Sequence, residues 1–181
     1  LGKSNLSVSR LCLGTMMFGD QTPLEDARAI VADAHTQGVN YIDTADVYSR
    51  WVPGHAGGES ETIIGRWLKR SGKRHQVLIA TKVGKPMGDE GEGRSGLSPK
   101  WIRQAVDDSL RRLQTDHIDL YQSHDDDAAV PLEDTLGTYA DLIRAGKVRA
   151  IGASNHSAAR LAVALDTSER LGLPRYETLQ P

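Results

Sequence analysis

Residues 77–82 read Val-Leu-Ile-Ala-Thr-Lys, and they say more about the architecture of this chain than any other segment. The run from Val77 to Thr81 carries no charge, which is typical of a β-strand covered on both faces, as in a parallel sheet. Lys82 then interrupts the run. A lysine at the end of a buried strand must find a partner, because an unpaired charge in an apolar environment is costly.

The same unit, a short apolar strand followed by a helical pattern, recurs on both sides of this segment. The predicted strands cover residues 9–14, 39–43, 77–82, 117–121, 148–151 and 176–180. The predicted helices begin at a Thr22-Pro23 capping pattern, shortly before Ile63, at Ser98-Pro99, at Pro131 and near Ser157. Residues 84–96 are rich in glycine and acid and predict a mobile loop.

Five βα units and a sixth strand follow one another without a change in composition. They predict one α/β domain over residues 1–181, of the (β/α)₈ TIM-barrel type. A complete barrel takes about 250 residues, so we expect strands 7 and 8 and their helices to be absent from this chain. A sheet that stays open is the alternative, but it would leave strand edges unpaired.

The composition excludes several classes of protein. The 22 basic and 24 acidic residues nearly balance, which does not indicate binding to nucleic acid or to a membrane surface. No apolar run approaches the roughly 18 residues of a membrane span, and the first residues lack the apolar segment of a signal peptide. The single Cys12 cannot form an internal disulfide, and we expect it to be buried and inert. These features together favour a cytoplasmic protein.

Four polar residues fall at or just after the ends of successive predicted strands: Asp43, Tyr48, Lys82 and His124. In parallel sheets and barrels, catalytic groups collect at the carboxyl ends of the strands. Each residue has a structural alternative. Asp43 could form an Asx turn or a structural ion pair with Lys82, Tyr48 could pack in the core, and His124 could be solvated. Their joint placement favours an active site.

If the four side chains converge, their chemistry suits the reduction of a carbonyl. Lys82 would stabilise the phenolate of Tyr48 and make this hydroxyl a usable proton donor, while Asp43 holds the ammonium. His124 could orient a carbonyl oxygen. The chain offers no Ser, Cys or metal-ligand set that would attack the carbonyl carbon, whereas hydride from a bound cofactor would.

Three segments resemble the active-site motifs of the aldo-keto reductase superfamily: Asp43-Thr44-Ala45-Asp46-Val47-Tyr48, Ala80-Thr81-Lys82-Val83-Gly84 and Gln122-Ser123-His124. The likeness extends over the whole chain, through residues 13–16, 58–61, 152–155 and 179–181. It implies a (β/α)₈ barrel, a nicotinamide dinucleotide, usually NADPH with NADH possible, and reversible reduction of a small-molecule aldehyde or ketone.

The resemblance also implies roles for individual residues. Tyr48 would be the general acid, Lys82 and Asp43 would tune it, and His124 would orient the carbonyl. The cofactor would contact Gly14, Thr15, Asp43, Ser154, Asn155 and Gln180, the last three at its carboxamide. Without the resemblance, helix capping would explain Ser154 and Asn155 equally well.

The chain carries no Gly-x-Gly-x-x-Gly fingerprint, so a Rossmann domain is not predicted. In the family, the adenosine phosphates are held largely by loops after strands 7 and 8. The choice between NADPH and NADH therefore stays open, as do the identity of the carbonyl and the oligomeric state.

Trp51 lies just past Tyr48 and could line a substrate pocket together with Tyr48 and His124, or it could only anchor its long loop. This loop resembles the branch that contains bacterial reductases and potassium-channel β subunits. A noncatalytic, cofactor-binding regulatory subunit therefore remains a second function class. A metal-dependent hydrolase is a third, although Lys82 would repel a metal ion and the remaining histidines are widely spaced.

Overall fold

The computed structural model describes residues 1–88 and 92–181. Within them, six strands alternate with five α-helices, and a short 3₁₀ helix, Arg74–Gln76, precedes the third strand. The strands are β1 Cys12–Gly14, β2 Tyr41–Asp43, β3 Leu78–Val83, β4 Ile118–Ser123, β5 Val148–Ser154 and β6 Tyr176–Gln180. The helices are α1 Leu24–Thr36, α2 Glu59–Ser71, α3 Pro99–Leu113, α4 Leu132–Arg144 and α5 Ala158–Leu171.

The strands form one parallel sheet whose spatial order is the order of the chain, from β1 to β6. Because βα connections between parallel strands are right-handed, the helices cover the same face of the sheet. Each helix contacts the next along the chain, so they form a continuous outer layer. The sheet curls as part of a (β/α)₈ barrel, and the predicted fold class is confirmed.

Side chains along β3 alternate between two apolar clusters. Ile79 belongs to the large core between the sheet and the helices, whereas Ala80 belongs to a small cluster inside the curled sheet. Leu6, from the amino-terminal segment, covers this inner cluster together with Leu120 and Ala150. The alternation directs Thr81 toward the helices and Lys82 toward the inside, because successive residues of a strand face opposite sides.

Strand β1 lies at one edge of the described sheet and pairs with β2 alone. It is shorter than the predicted strand over residues 9–14. Cys12 is exposed, so the prediction of a buried thiol was wrong. Leu11 is 72% exposed, and Leu179 on the opposite edge strand β6 is 43% exposed. Both edges of the sheet therefore present apolar side chains.

The helix signals were partly correct. Ser98 caps α3, since its hydroxyl accepts a hydrogen bond from the Trp101 amide at 3.3 Å. Thr22 does not form the predicted capping box, because Pro23 occupies the N-cap position of α1 and no side chain caps that helix. Of the loop predicted to be mobile over residues 84–96, residues 89–91 lie outside the described part. None of the described helices is long and apolar enough to cross a membrane.

Candidate active site

The four predicted site residues lie together at the carboxyl ends of β2, β3 and β4. Asp43 is the last residue of β2, Lys82 lies near the end of β3, and His124 directly follows β4. Tyr48 lies in the loop after β2. All four residues are buried, each with at most 8% of its surface exposed. The parallel arrangement therefore produces the convergence that strand order alone predicted.

The Lys82 ammonium is the centre of this group. It donates to the Asp43 carboxylate at 2.6 Å, to the Thr44 carbonyl at 2.9 Å and to the Tyr48 hydroxyl at 2.8 Å. A protonated lysine has three N–H donors, and all three are used. The bond to the phenol oxygen goes beyond a structural ion pair with Asp43, because it places a positive charge where a phenolate would form.

Asp43 is itself held from two sides. Its second carboxylate oxygen accepts from the Gln122 side-chain amide at 3.2 Å. Its carbonyl oxygen accepts from the Thr15 amide at 3.0 Å and from the Thr15 hydroxyl at 2.9 Å. Gln122 was not predicted from the sequence as a partner of Asp43. The sheet register could have indicated this contact, because Gln122 lies opposite Lys82 in the pairing of β3 with β4.

His124 faces Tyr48 across the same site. The two rings meet edge to face with centroids 6.0 Å apart. Burial, and then the positive charge of Lys82, lower the pKa of His124 to about 4. The imidazole is therefore neutral at physiological pH. Its Nδ1 atom is buried and has no hydrogen-bond partner among residues 1–88 and 92–181. A neutral imidazole can donate from one nitrogen, which suits contact with a carbonyl oxygen.

A cavity of about 390 Å³ opens beside Tyr48 and His124. Its volume lies in the range of small-molecule sites. The residues that line it are Met16, Val47, Tyr48, Arg50, Trp51, Lys85, Pro86 and His124. Apart from Tyr48, Trp51 and His124, sequence reasoning missed these positions, because they lie in loops whose paths no periodic pattern predicts.

Trp51 both borders this cavity and anchors its loop. Its ring lies edge to face against Tyr48 with centroids 6.3 Å apart. Its indole N–H donates to the Asp20 carboxylate at 2.8 Å. The side chain is 51% exposed, and much of its surface is free to contact another molecule. A role in substrate binding remains a prediction.

The residues predicted to contact a cofactor lie at the same end of the sheet. Gly14 is exposed and has open space where a side chain would be. Thr15 is fully buried, and its hydroxyl contacts Ser60 as well as the Asp43 carbonyl. Ser154 is buried at the end of β5, whereas Asn155 and Gln180 are exposed. The Asn155 amide N–H donates to the Gln180 carbonyl at 2.9 Å, which holds these two residues together.

Ser154 and Asn155 do not cap the helix that follows them. The N-cap of α5 is Ser157, whose hydroxyl accepts from the Arg160 amide at 3.1 Å. Asn155 instead adopts a left-handed backbone conformation with φ of 55° and donates from its side chain to the His124 carbonyl at 2.9 Å. An exposed amide beside the tetrad suits hydrogen bonding to a nicotinamide carboxamide.

In the part of the chain that the structure describes, no three His, Cys, Asp or Glu side chains are grouped so that they could hold a metal ion. The Asp43 carboxylate is bound to Lys82, and the Asp125 carboxylate forms an ion pair with Lys85. The arrangement of these side chains therefore gives no support to the metal-dependent hydrolase.

Known proteins resemble this chain over most of its length. A model of the Aldo/keto reductase family matches residues 10–174. Protein tas of Escherichia coli (strain K12) is 40% identical over 98% of the chain, and the uncharacterized oxidoreductase YrpG of Bacillus subtilis (strain 168) is 41% identical over 94% of it. A probable voltage-gated potassium channel subunit beta of Arabidopsis thaliana is 34% identical over 96%. The chain spans 57%, 52% and 51% of the lengths of these three relatives.

Proposed function

Because this chain belongs to the aldo/keto reductase family, we propose that the protein is an NAD(P)H-dependent oxidoreductase that reduces an aldehyde or ketone to an alcohol. The observation that carries the proposal is the 2.8 Å hydrogen bond from the Lys82 ammonium to the Tyr48 hydroxyl at the wall of a cavity. This contact places a positive charge beside the phenol oxygen, which structural packing does not require.

The four side chains have distinct roles in this proposal. The substrate carbonyl oxygen would lie between the Tyr48 hydroxyl and the neutral His124 imidazole, which donates a hydrogen bond and orients it. Tyr48 would transfer its proton to the carbonyl oxygen as a new C–H bond forms at the carbonyl carbon. Lys82, held by Asp43, would stabilise the resulting phenolate. The hydride would come from the nicotinamide ring of a bound dinucleotide.

The cofactor contacts follow from the end of the sheet at which the tetrad lies. Ser154, Asn155 and Gln180 would hold the carboxamide, and Gly14 and Thr15 would lie near the ribose or the substrate. Asp43 would be close to both cofactor and lysine. We propose NADPH as the usual cofactor, with NADH possible, and a cytoplasmic location. The cofactor assignments rest on the family and on the positions of the ends of β1, β2, β5 and β6.

The same fold could serve a second function, a cofactor-binding regulatory subunit with little turnover. The similarity to a protein named as a probable voltage-gated potassium channel subunit beta supports this alternative. The complete Lys82, Tyr48, Asp43 and His124 group favours catalysis, because a binding role does not need a tuned proton donor.

The deciding experiment measures NADPH and NADH oxidation at 340 nm by the full-length protein with aromatic aldehydes, methylglyoxal and simple ketones. We expect carbonyl-dependent oxidation, and a loss of about 10² to 10⁴ in kcat for Tyr48→Phe with cofactor affinity retained. Tyr41→Phe is the matched control, because it also removes a phenolic hydroxyl, from a tyrosine two residues before Asp43. Cofactor binding without turnover would favour the regulatory subunit, and full turnover by Tyr48→Phe would refute the assigned proton donor.

A further inference from the structure

A second polar cluster lies behind the site, on the face of β3 that packs against the helices. Glu61 of α2 is fully buried. One of its carboxylate oxygens accepts from the Thr81 hydroxyl at 2.6 Å, and the other accepts from the Arg112 guanidinium of α3 at 2.6 Å. Thr81 is adjacent to Lys82 and points to the opposite side of the strand. The outer side of β3 is therefore tied to two helices at the residue next to the candidate catalytic lysine.

Asp46 joins this cluster from the loop between Asp43 and Tyr48. Only 1% of Asp46 is exposed, and no side chain within the described ranges hydrogen-bonds to its carboxyl oxygens, which interact with the backbone amide of Val47. Its backbone amide donates to the Lys82 carbonyl at 3.3 Å. The polypeptide that carries Tyr48 is thus bonded to the backbone of the residue whose side chain contacts the Tyr48 hydroxyl.

The charges of the cluster do not balance if both carboxyl groups are ionised. Asp46 interacts electrostatically with Glu61 on α2, Arg112 on α3, Lys82 on β3 and Tyr121 on β4. Lys82 already forms an ion pair with Asp43, which leaves Arg112 for Glu61. Burial, and then the negative charge of Glu61, raise the pKa of Asp46 well above its usual range. Burial therefore favours the protonated form of Asp46 relative to an ordinary aspartate.

Arg112 adds a third connection to the Tyr48 loop. Its side chain packs against Gly58, where a Cβ atom would lie 3.0 Å from the Arg112 Cζ and nearer still to Cδ and Nε. Gly58 has a φ of 87°, which favours glycine, and its amide donates to the Tyr48 carbonyl at 3.2 Å. The Arg112 side chain therefore packs against the far end of the loop that carries Tyr48.

We propose that Asp46, Glu61, Thr81 and Arg112 form a positioning unit that holds the Tyr48 hydroxyl against the Lys82 ammonium from behind the sheet. None of the four side chains needs to touch a substrate. They act through Lys82 and through residues 44–48, whose backbone is also bonded to β3 by the Thr44 amide at 2.9 Å from the Ala80 carbonyl. The inference rests on the proposed reductase function for its kinetic part only.

The test compares Glu61→Gln with Asp119→Asn in the full-length protein. Asp119 is an equally buried carboxylate that pairs with Arg74 and Arg149, each at 2.8 Å, near the opposite end of the sheet. Both variants remove the charge of a buried carboxylate that pairs with arginine. In Glu61→Gln, the Arg112 charge is no longer balanced by Glu61, so Arg112 should shift toward the Asp46 carboxyl group and displace the Tyr48 loop.

We expect Glu61→Gln to lower kcat about ten- to a hundredfold, with the carbonyl KM and the cofactor dissociation constant each within about twofold of wild type. Asp119→Asn should lose thermal stability and keep its kcat. Thr81→Val, which removes only a hydroxyl, should lower kcat in the same direction, and Thr81→Ser should restore most of it. If Glu61→Gln does not fold, the comparison of Thr81→Val with Thr81→Ser tests the proposal alone.

Hydrogen–deuterium exchange of the amides of residues 44–48 gives a readout that is independent of turnover. It should accelerate in Glu61→Gln and Thr81→Val and stay at the wild-type rate in Asp119→Asn. A wild-type protein without reductase activity would refute the proposed function and leave this measurement intact. Unchanged exchange together with wild-type kcat in Glu61→Gln or Thr81→Val would overturn the positioning unit.

Discussion

At the scale of single residues, the site depends on keeping a histidine neutral beside a lysine that must stay charged. His124 and Lys82 are both almost fully buried, yet their surroundings differ. Lys82 has an ionised partner in Asp43, whereas the nearest charges to His124 include the ammonium of Lys82 itself. Burial, and then the same positive charge that contacts the Tyr48 hydroxyl, therefore keep a proton off the imidazole.

This arrangement makes stability depend on pH. The pKa of His124 is about 4 in the folded protein, against 6.5 for an ordinary histidine. Between these values the unfolded chain binds more protons than the folded one, so stability falls as pH falls. The contribution of the neutral His124 to the free energy of unfolding is complete above pH 6.5 and lost by about pH 4, with a maximum of about 3 kcal/mol.

Chemical denaturation between pH 4 and 7.5 measures this effect. His124→Gln should flatten the slope of unfolding free energy against pH in that window, while replacing the exposed His75 by Gln should leave it as in wild type. A profile of His124→Gln as steep as that of wild type would contradict the neutral buried imidazole.

The ion pair of Lys82 and Asp43 predicts an asymmetry between single and double variants. Lys82→Met leaves the buried Asp43 carboxylate without its cation and should destabilise the protein by about 3 to 5 kcal/mol. Asp43→Asn with Lys82→Met removes both charges and should recover part of that loss, although neither variant should reduce carbonyls efficiently. Urea unfolding and turnover at 340 nm check both parts, and equal stability of the single and double variants would argue against a buried pair.

At the scale of elements, the position of α2 depends on a close contact with α3. Gly65 of α2 packs against the end of α3, where a Cβ atom would lie 2.7 Å from the Leu113 carbonyl carbon and closer to the Arg112 carbonyl oxygen. Helices approach this closely only where a side chain is absent. The contact also brings Glu61 and Arg112 within hydrogen-bonding distance, so helix packing and site positioning are coupled.

Two glycine-to-alanine substitutions test this contact. Gly65→Ala should separate α2 from α3 and cost roughly 1 to 3 kcal/mol, because nearby backbone atoms must move. Gly137→Ala lies within α4, where a Cβ meets no atom within 4 Å, and should stabilise the protein by about 1 kcal/mol through helix propensity. Thermal denaturation measures both, and a stable Gly65→Ala variant would show that α2 and α3 can separate without cost.

At the scale of the whole molecule, the described sheet has two edges that a closed barrel would not have. Strands β1 and β6 each pair with one neighbour in the described structure, and exposed Leu11 and Leu179 lie beside those edges. Unpaired edges with apolar side chains promote association.

Residues 1–181 expressed alone should therefore associate and bind hydrophobic dyes. Leu11→Lys with Leu179→Lys should reduce the association of the 181-residue segment by placing charge at both edges. Light scattering after size exclusion measures the mass. A compact, thermally stable monomer of residues 1–181 would show that the edges are protected in another way.

The order of strands and helices and the four residues of the candidate site were accessible from the sequence. Both depend on local signals, because apolar runs, side-chain periodicity and strand ends are properties of neighbouring residues. Parallel strands carry their ends to one edge, so strand order alone predicted that Asp43, Tyr48, Lys82 and His124 converge. The sixth strand, predicted over residues 176–180, is observed over the same residues.

The pairing of Lys82 with Asp43 and Tyr48 was predicted, but only the tertiary structure decided the other partners of these side chains. The bond from Lys82 to the Thr44 carbonyl, the bond from Gln122 to Asp43 and the bond from Arg112 to Glu61 join residues 38 to 79 positions apart. The last of these brings together two helices that no local pattern aligns. The same holds for Cys12, whose exposure depends on what lies beside β1. Contacts of this kind follow from sheet register and helix packing, which are set by the balance of interactions over the whole chain rather than by any one segment.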